Sequence, residues 1–444
     1  MPLEDAARAA CVSREFLRSW RRYPRLALRE GTLALTDKRY REHVTESYFV
    51  NKIDHILKNR SHIVLKAFIL HLYPCPNMDA SYIDKWLQFA LRPGIEELAF
   101  EMSSLKRRVK YNFPCSLLSV GCCKSLTSLH LCGVHITGEE LGHFVSNCDA
   151  LVQLVISVCN YITCFRVPGI LWHLEHFNVR ECQKLRVIDI NAPKLSNFVC
   201  WDDLPQQISL GAAVKNITMI GSKPNMICYA RAKLPFFMPT VETLTVESHC
   251  EKVKTPMMSS KFLNLKYLDI YLMDGSELYR NDHFCLVSFL DASPALETFV
   301  LRVATDDSLR PDSILRHLDG PQLHLRQMPE CLHKNLKNVM ISRFTSAKSL
   351  IELTRHIVQN ALALEWLTLD TAGGCASRTS AKTDKCQHMC KDGLREARKA
   401  MEAVRRYIEG IVLPSTNFNV LEPCSQCECE GHNCSQCGYQ EPIF

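Results

Sequence analysis

A short apolar pattern, L-x-x-L-x-L, recurs along most of this chain of 444 residues and constrains its fold more than any other feature. Isoleucine, valine, phenylalanine, methionine or cysteine can replace the leucines, as in LVQLVI, VETLTV and LKYLDI. The pattern starts at Ile95, Leu126, Leu151, Leu174, Leu185, Leu195, Val214, Val241, Leu265, Leu296, Leu336 and Leu364. Because one such strand cannot bury its own apolar face, the pattern predicts a stack of similar units.

Most steps between successive starts lie within or near the roughly 20 to 29 residues of leucine-rich repeats. The steps of 11 and 10 residues that follow Leu174 and Leu185 are too short, since a crossover between parallel strands needs about a dozen residues. We therefore assign the hexapeptide at Leu185 to the return path on the convex side, with the similar alternation ITCFRV at Ile162. Removing Leu185 from the twelve starts leaves eleven units. Chance recurrence of apolar hexapeptides is the alternative.

Helical segments alternate with the predicted strands, which is typical of an α/β fold. Thr137 and Glu140 form a capping box, and apolar faces predict helices over 81–90 and 347–361. Between Leu151 and Val214 the connectors are short and strand-like. The predicted fold is a leucine-rich-repeat solenoid with a curved parallel sheet, and with helices and short strands on the convex side.

Composition limits the class of protein. Apolar residues make up 47% and charged residues 23% of the chain, as in soluble globular proteins. The N-terminus carries Glu4 and Asp5 where a signal peptide needs basic and apolar residues, so we expect a protein of the cytoplasm, the nucleus or both. The net charge of +6 is spread over the chain and favours neither a nucleic-acid nor a membrane partner.

The sequence does not indicate an enzyme. It contains no G-x-x-x-x-G-K phosphate loop, no H-E-x-x-H motif and no G-x-S-x-G elbow, and we expect no cofactor. Its 23 cysteines are an odd number and cannot all pair, so we interpret them as reduced thiols, many within apolar patterns.

Two cysteine-rich segments are candidate zinc sites. The C-terminal one contains Cys424, Cys427, Cys429, His432, Cys434 and Cys437. Six residues separate Cys427 from Cys434, whereas common zinc sites with two cysteine pairs use about 12 to 20. A weaker cluster contains Cys375, Cys386, His388 and Cys390. We therefore assign no metal ligands and favour an unstructured reduced tail, with zinc binding as the alternative.

Three separate motifs carry a resemblance to a known family. The run PLEDAARAACVSREFLRSW, followed by Pro24, resembles the second half of the F-box of plant F-box proteins. Residues 333–370 are similar to the FBD region of those proteins, and residues 396–410, followed by VLEPCSQC, are similar to their C-terminal end. The motifs occur in the family's order and span nearly the whole chain.

The resemblance implies a substrate-recognition adaptor of a cullin-type ubiquitin ligase. In this family the F-box docks a Skp-type adaptor, and the repeats hold the protein to be ubiquitylated. A full F-box begins with a Leu-Pro turn and a first helix, and the resemblance begins after both, which predicts an F-box truncated at its N-terminus. The family pattern implies adaptor-binding residues at Leu3, Val12, Phe16 and Trp20. Packing of these residues against the first repeat is the alternative.

The concave side of the sheet is the predicted surface for the target protein. The third, fifth and seventh positions of each unit face it. Aromatic side chains there favour binding, because aromatic anchors dominate interface energetics. The predicted target-binding residues are Arg180, Trp201, Tyr267, Asp269, Tyr271 and Arg302. Packing of some of them beneath the insertion between Val303 and Leu336 is the alternative.

The predicted organisation is a partial F-box over 1–30, a helical N-terminal cap over 31–94, repeats with the FBD-like region over 95–372, a cysteine-rich loop over 373–390, a helix over 391–410 and a cysteine-rich tail over 411–444. Two other functions stay open. One is a ligase-independent scaffold that binds protein through its repeats, and the other is a zinc-stabilised nucleic-acid binder.

Overall fold

A computed structural model describes residues 8, 11–29, 46–60, 63–72, 78–102, 111–115, 124–201, 205–211, 213–221, 226–249, 260–273, 282–304, 312–317, 325–329, 331–372, 389 and 391–423. The chain divides into two compact units, Met1–Val214 (unit 1) and Lys215–Phe444 (unit 2). The predictions for Leu3 and for both cysteine-rich segments lie outside the described residues.

Unit 1 alternates strands with helices at its N-terminal side and with short strands further on. Its elements are α1 (Arg14–Arg22), β1 (Arg25–Leu28), α2 (Glu46–Lys58), β2 (Ala67–His71), α3 (Ala80–Ala90), β3 (Glu97–Glu101), β4 (Ser128–Cys132), α4 (Gly138–Ser146), β5 (Gln153–Ser157), β6 (Cys164–Ile170), β7 (His176–Arg180), β8 (Val187–Asn191), β9 (Asn197–Trp201) and β10 (Gln207–Ser209).

The described strands of unit 1 form two layers. Strands β1, β2, β3, β4, β5, β7 and β9 pair in this order, all parallel. Strands β6, β8 and β10 form a separate parallel sheet, with β8 in the middle. The assignment of the segments at Ile162 and Leu185 to the return path is therefore confirmed, because β6 and β8 pair with each other and not with β5, β7 or β9.

Unit 2 has longer helical connectors. Its elements are β11 (Asn216–Gly221), α5 (Met226–Phe237), β12 (Thr243–His249), β13 (Tyr267–Met273), a 3-10 helix (His283–Leu286), α6 (Val287–Ala292), β14 (Thr298–Ala304), a 3-10 helix (Ile314–His317), β15 (Asn338–Ser342), α7 (Lys348–Asn360), β16 (Trp366–Asp370), α8 (Lys391–Tyr407), a 3-10 helix (Glu409–Ile411) and β17 (Asn417–Leu421).

The strands of unit 2, β11 to β17, pair in chain order, and all are parallel. Their register aligns equivalent repeat positions: Leu244 lies opposite Leu268, and Leu268 lies opposite Phe299. All three side chains are fully buried. Each of the eleven predicted units contains a strand that begins two residues after the start of its pattern, so the leucine-rich-repeat fold is confirmed.

The structure adds β1, β2 and β17 to the array, which the sequence analysis did not predict. Strand β2 had a detectable signal, because LKAFIL at Leu65 fits the repeat pattern. Strands β1 and β17 follow degenerate patterns in which Tyr23 and Ser415 replace the first leucine. Both strands are stabilised by pairing with a regular neighbour, an interaction that no local pattern encodes.

Helix α4 shows how the local sequence positions a connector. The Thr137 hydroxyl accepts from the Glu140 N–H, and the Glu140 carboxylate accepts from the Thr137 N–H, so the predicted capping box is confirmed. Gly138 and Gly142 lie one turn apart, and a Cβ at either position would overlap a main-chain carbonyl oxygen of β6. These glycines therefore let the helix lie directly against that strand.

A left-handed turn recurs at the eighth repeat position, just after the strand. Gly133, Val158, Glu181 and Arg343 all occupy this position, and their φ angles are 71°, 54°, 50° and 53°. Gly133, Val158 and Glu181 each donate their backbone N–H to the last strand carbonyl of the next repeat. The turn thus extends the hydrogen-bond ladder beyond the strand.

The ninth position of two repeats is a buried cysteine. The Sγ atoms of Cys159 and Cys182 donate to main-chain carbonyls of the preceding repeat, at 3.8 Å from Leu131 and 3.7 Å from Ile156. Burial raises the pKa of the Cys159 thiol. The expectation of small, buried, reduced cysteines fits these two residues.

Within the part of the chain that the structure describes, no helix combines the length and the apolar character needed to cross a bilayer.

Candidate protein-binding face

One face of each sheet packs its side chains into the core, and we call the other the open face. On β12, Leu244, Val246 and Ser248 are buried, whereas Thr243, Thr245, Glu247 and His249 stay partly exposed. All six residues that the sequence analysis assigned to target binding lie on strands. Five of them are at least partly exposed, whereas Asp269 is buried. The open face is therefore the surface where a partner can reach the strands directly.

In unit 2 the structure brings Tyr267, Asp269, Tyr271 and Arg302 together on two neighbouring strands, and we call these four residues the β13–β14 patch. The Arg302 guanidinium binds the Asp269 carboxylate with two hydrogen bonds, one of 3.1 Å from Nε to Oδ1 and one from Nη2 to Oδ2. The Asp269 side chain is only 7% exposed, whereas that of Arg302 is 47% exposed. The carboxylate thus fixes the guanidinium while leaving nearly half of it accessible.

The Asp269 carboxylate influences the protonation of both Arg302 and Tyr267. The hydrogen bond to Asp269 raises the pKa of Arg302, which therefore stays a cation. Burial and the nearby Asp269 charge raise the pKa of Tyr267, so its hydroxyl stays protonated and can donate a hydrogen bond. Tyr271 lies directly opposite Arg302 in the register. The patch presents one oriented cation on β14 and two tyrosines on the neighbouring strand β13.

The structure extends this patch by two residues that the sequence analysis did not assign to it. His249 Nε2 lies 2.7 Å from Glu247 Oε1, and the His249 ring packs edge-on against Tyr271 at 6.4 Å between centroids. Both residues continue the alternation of β12. The signal was therefore present, since Glu247 is the seventh position of its repeat and His249 continues the same alternation two residues further.

In unit 1 the predicted residues Arg180 and Trp201 also meet. They are opposite each other on β7 and β9, and the guanidinium carbon lies 5.0 Å from the indole ring centroid. Asn178 Oδ1 accepts from Arg180 Nε at 3.2 Å. This pair is a cation–π contact on the open face of unit 1.

Unit 1 also has a depression on its open face that the sequence analysis did not predict. Its volume is about 230 Å³, and residues of β2 to β5 line it, among them His71, Glu101 and His130. His71 Nε2 lies 3.4 Å from Glu101 Oε2. Burial lowers the pKa of both histidines, which favours their neutral form. The volume is below the roughly 300 to 1,000 Å³ of small-molecule sites, which favours a surface feature.

The residues that the family pattern implies for adaptor binding differ in environment. Val12 and Phe16 are 86% and 56% exposed. Trp20 is half-buried beneath Arg60, whose guanidinium carbon lies 4.6 Å from the indole ring centroid and whose Nη2 donates to the Trp20 carbonyl at 2.9 Å. Val12 and Phe16 are thus available at the surface, whereas Trp20 joins α1 to the end of α2.

Parallel strands at this spacing, with helical connectors and a charged, aromatic open face, define a leucine-rich-repeat protein. The sequence model of the family described as "At1g61320/AtMIF1, LRR domain" matches residues 56–121 and 119–425. These matches cover more than half of the chain, and the chain belongs to this family. The FBD-associated F-box protein At1g66310 of Arabidopsis thaliana is 23% identical over 425 residues, with 83% of this chain and 86% of the relative covered. The resemblance to plant F-box proteins with repeats and an FBD region is thereby confirmed.

Proposed function

We propose that this chain is the substrate-recognition adaptor of a cullin-type ubiquitin ligase. Its N-terminal segment docks a Skp-type adaptor, and its open face holds the protein to be ubiquitylated. The likeness to an F-box protein over most of both chains supports the first role. Membership of a leucine-rich-repeat family supports the second.

The β13–β14 patch is the observation that carries the proposal. Tyrosine and arginine are enriched among the residues that dominate binding energy at protein interfaces. Arg302 is already oriented by Asp269, so binding costs little further ordering of its side chain. An arginine has five N–H donors, and those not bonded to Asp269 can bind a carboxylate or a backbone carbonyl of the target. The patch therefore fits a protein segment with an acidic group beside an apolar one.

The contribution to catalysis is proximity. A ubiquitin-conjugating partner supplies the reactive thioester, and the adaptor holds a target lysine near it. Bringing two groups together in this way raises their effective concentration and needs no catalytic residue in this chain. The exposed apolar side chains of Val12 and Phe16 are suitable for the docking contact with the Skp-type adaptor.

The test is affinity purification of the tagged full-length chain from plant cells with the proteasome inhibited. Phe16→Asp places a charge in the adaptor contact, and we expect at least a tenfold loss of the Skp-type adaptor with other partners retained. The double substitution Tyr267→Ala and Tyr271→Ala removes both aromatic anchors. We expect it to lose the other partners while it retains the Skp-type adaptor. Arg302 is left in place because its removal would leave the Asp269 carboxylate buried without its cation.

Phe236→Asp is the matched control for Phe16, because Phe236 is also a highly exposed phenylalanine on a helix. It should retain both groups of partners. Failure of the unmodified chain to bind any Skp-type adaptor would contradict the ligase role. If partners sensitive to the tyrosine substitutions were still captured in that case, the chain would be a ligase-independent scaffold.

A further inference from the structure

Three potential metal ligands from different elements converge in unit 2. Asp291 lies on α6, His333 lies in the segment before β15, and His356 lies on α7. The Oδ1 atom of Asp291 is 3.7 Å from His333 Nε2 and 3.9 Å from His356 Nε2. All three ligand atoms lie within 4.8 Å of one another.

The ligand atoms are buried and lack hydrogen bonds. The side chains of His333 and His356 are 6% and 5% exposed, and that of Asp291 is 18% exposed. Among the described residues, none offers a hydrogen bond to Asp291 Oδ1, His333 Nε2 or His356 Nε2. Buried polar atoms are nearly always satisfied in folded proteins. Three such atoms within 4.8 Å of one another therefore indicate a shared partner between them.

The spacing suits a metal ion. Ligands at about 2.0 to 2.2 Å from a tetrahedral zinc ion are separated from each other by about 3.3 to 3.5 Å. The observed separations of 3.7 and 3.9 Å exceed this by a few tenths of an ångström, which small side-chain rotations can supply. Two imidazoles and one carboxylate are a common protein ligand set for zinc.

Neighbouring groups hold the ligands in place. The backbone N–H of His333 donates to the Asn360 carbonyl at 2.9 Å, which ties the segment before β15 to the end of α7. The Asn360 side chain lies 3.4 Å from His356 Nδ1, so its amide can orient the imidazole. The partly buried Cys331 thiol hydrogen-bonds the Asp291 carboxylate and is two residues from His333. A thiol thus lies beside the Asp291 carboxylate and close in sequence to His333.

We propose that Asp291, His333 and His356 bind a zinc ion in unit 2, with Cys331 or a water molecule as the fourth ligand. The nitrogen, oxygen and sulfur donors suit zinc better than magnesium or calcium, which prefer oxygen ligands. The ion joins α6, the segment before β15 and α7, three connectors of successive repeats. Its role is structural, because binding free energy at such a site adds to the stability of the folded state.

The experiment must separate this site from the C-terminal cysteines. We use the full-length chain with Cys424, Cys427, Cys434 and Cys437 all changed to serine, called the tail variant. After dialysis against metal-free buffer, elemental analysis should find about one zinc per chain, and a chelator should lower the melting temperature. Co²⁺ in place of zinc should give the visible absorption of a tetrahedral site, with a thiolate charge-transfer band if Cys331 is a ligand.

Substitutions in the tail variant identify the ligands. Asp291→Asn and His356→Asn should each abolish zinc retention and the effect of the chelator. His283→Asn is the matched control, since His283 is an equally buried histidine of unit 2 outside the cluster, and it should retain zinc. Absence of zinc and of any Zn²⁺-induced melting shift in the tail variant would overturn the proposal, and so would unchanged zinc content in Asp291→Asn. Asp291→Asn in the tail variant decides the matter even if His356→Asn fails to fold, because it also excludes zinc bound by the cysteines between Cys375 and Cys390.

Discussion

At the scale of single residues, the eighth repeat position shows how the fold uses backbone strain. Val158, Glu181 and Arg343 adopt positive φ there, a region that costs side chains with a Cβ about 1 to 2 kcal/mol. Val158 and Glu181 do so because the strand ladder continues through their backbone N–H groups, and at the third site the ladder continues through the following residue, Phe344, which donates to the Asp370 carbonyl. Gly133 occupies the same position without this cost. It is also packed more closely, because a Cβ there would overlap the Met102 carbonyl oxygen.

We expect Gly133→Ala to destabilise unit 1 by about 2 to 4 kcal/mol, since the strain of the left-handed conformation and the overlap with Met102 add together. Urea unfolding followed by circular dichroism measures the change. Gly410→Ala is the control, because a Cβ at Gly410 meets no atom within 4 Å, and it should change stability by less than about 0.5 kcal/mol. Equal midpoints for the two variants would show that the Met102 contact does not constrain the turn.

At the scale of elements, Arg326 joins the insertion between β14 and β15 to two helices of unit 2. Its guanidinium makes bonds of 2.6 and 2.8 Å to Asp282, at the start of a 3-10 helix. The same group, together with the Arg326 backbone N–H, binds Glu352 of α7, whose side chain is fully buried. Because a buried carboxylate needs a cation, the insertion follows a path that keeps Arg326 beside α7.

Arg326→Ala should destabilise unit 2 by about 2 to 4 kcal/mol at pH 7, because Glu352 loses its principal cation. Arg326 also lowers the pKa of Asp282, and a lowered carboxyl pKa adds stability above the unfolded value of about 3.9. That contribution is lost as pH falls through the folded pKa, so the difference between the two proteins should shrink below about pH 4. Urea midpoints between pH 3 and pH 7 measure this.

Arg395→Ala is the comparison for Arg326. Arg395 binds Asp392 at 3.0 Å on the exposed side of α8, and pairs at such positions contribute little. A loss of stability for Arg395→Ala as large as for Arg326→Ala would contradict the importance of burial at Glu352.

At the scale of the whole molecule, cysteine serves as a small apolar residue. The eleven described cysteines are all reduced, and Cys148, Cys159, Cys182 and Cys200 are buried. Cys159 and Cys182 occupy the ninth repeat position, where leucine-rich repeats carry asparagine or cysteine. Their thiols donate hydrogen bonds to main-chain carbonyls of the preceding repeat. Burial raises the pKa of Cys159 and so suppresses its reactive thiolate form.

We expect these four buried thiols to react with iodoacetamide at least about 100-fold more slowly than the exposed Cys11 in the native protein, because they are shielded from the reagent. Peptide mass spectrometry after timed labelling measures each rate. Labelling in denaturant is the control and should make the rates similar. Rapid native labelling of Cys159, or disulfide-linked peptides containing it, would contradict the assigned environment.

The sequence by itself determined the strands of the eleven predicted units, because the alternation of buried and exposed side chains is a local property of two or three adjacent residues. It also placed Tyr267, Asp269, Tyr271 and Arg302 on one face, since strand periodicity decides which side chains share a face. Only the tertiary structure decided that Arg302 binds Asp269 across neighbouring strands. It alone brought Asp291, His333 and His356 together, because their meeting depends on the paths of three connectors that no periodicity encodes. Strands β1 and β17 likewise depend on pairing with a neighbour that is distant in sequence.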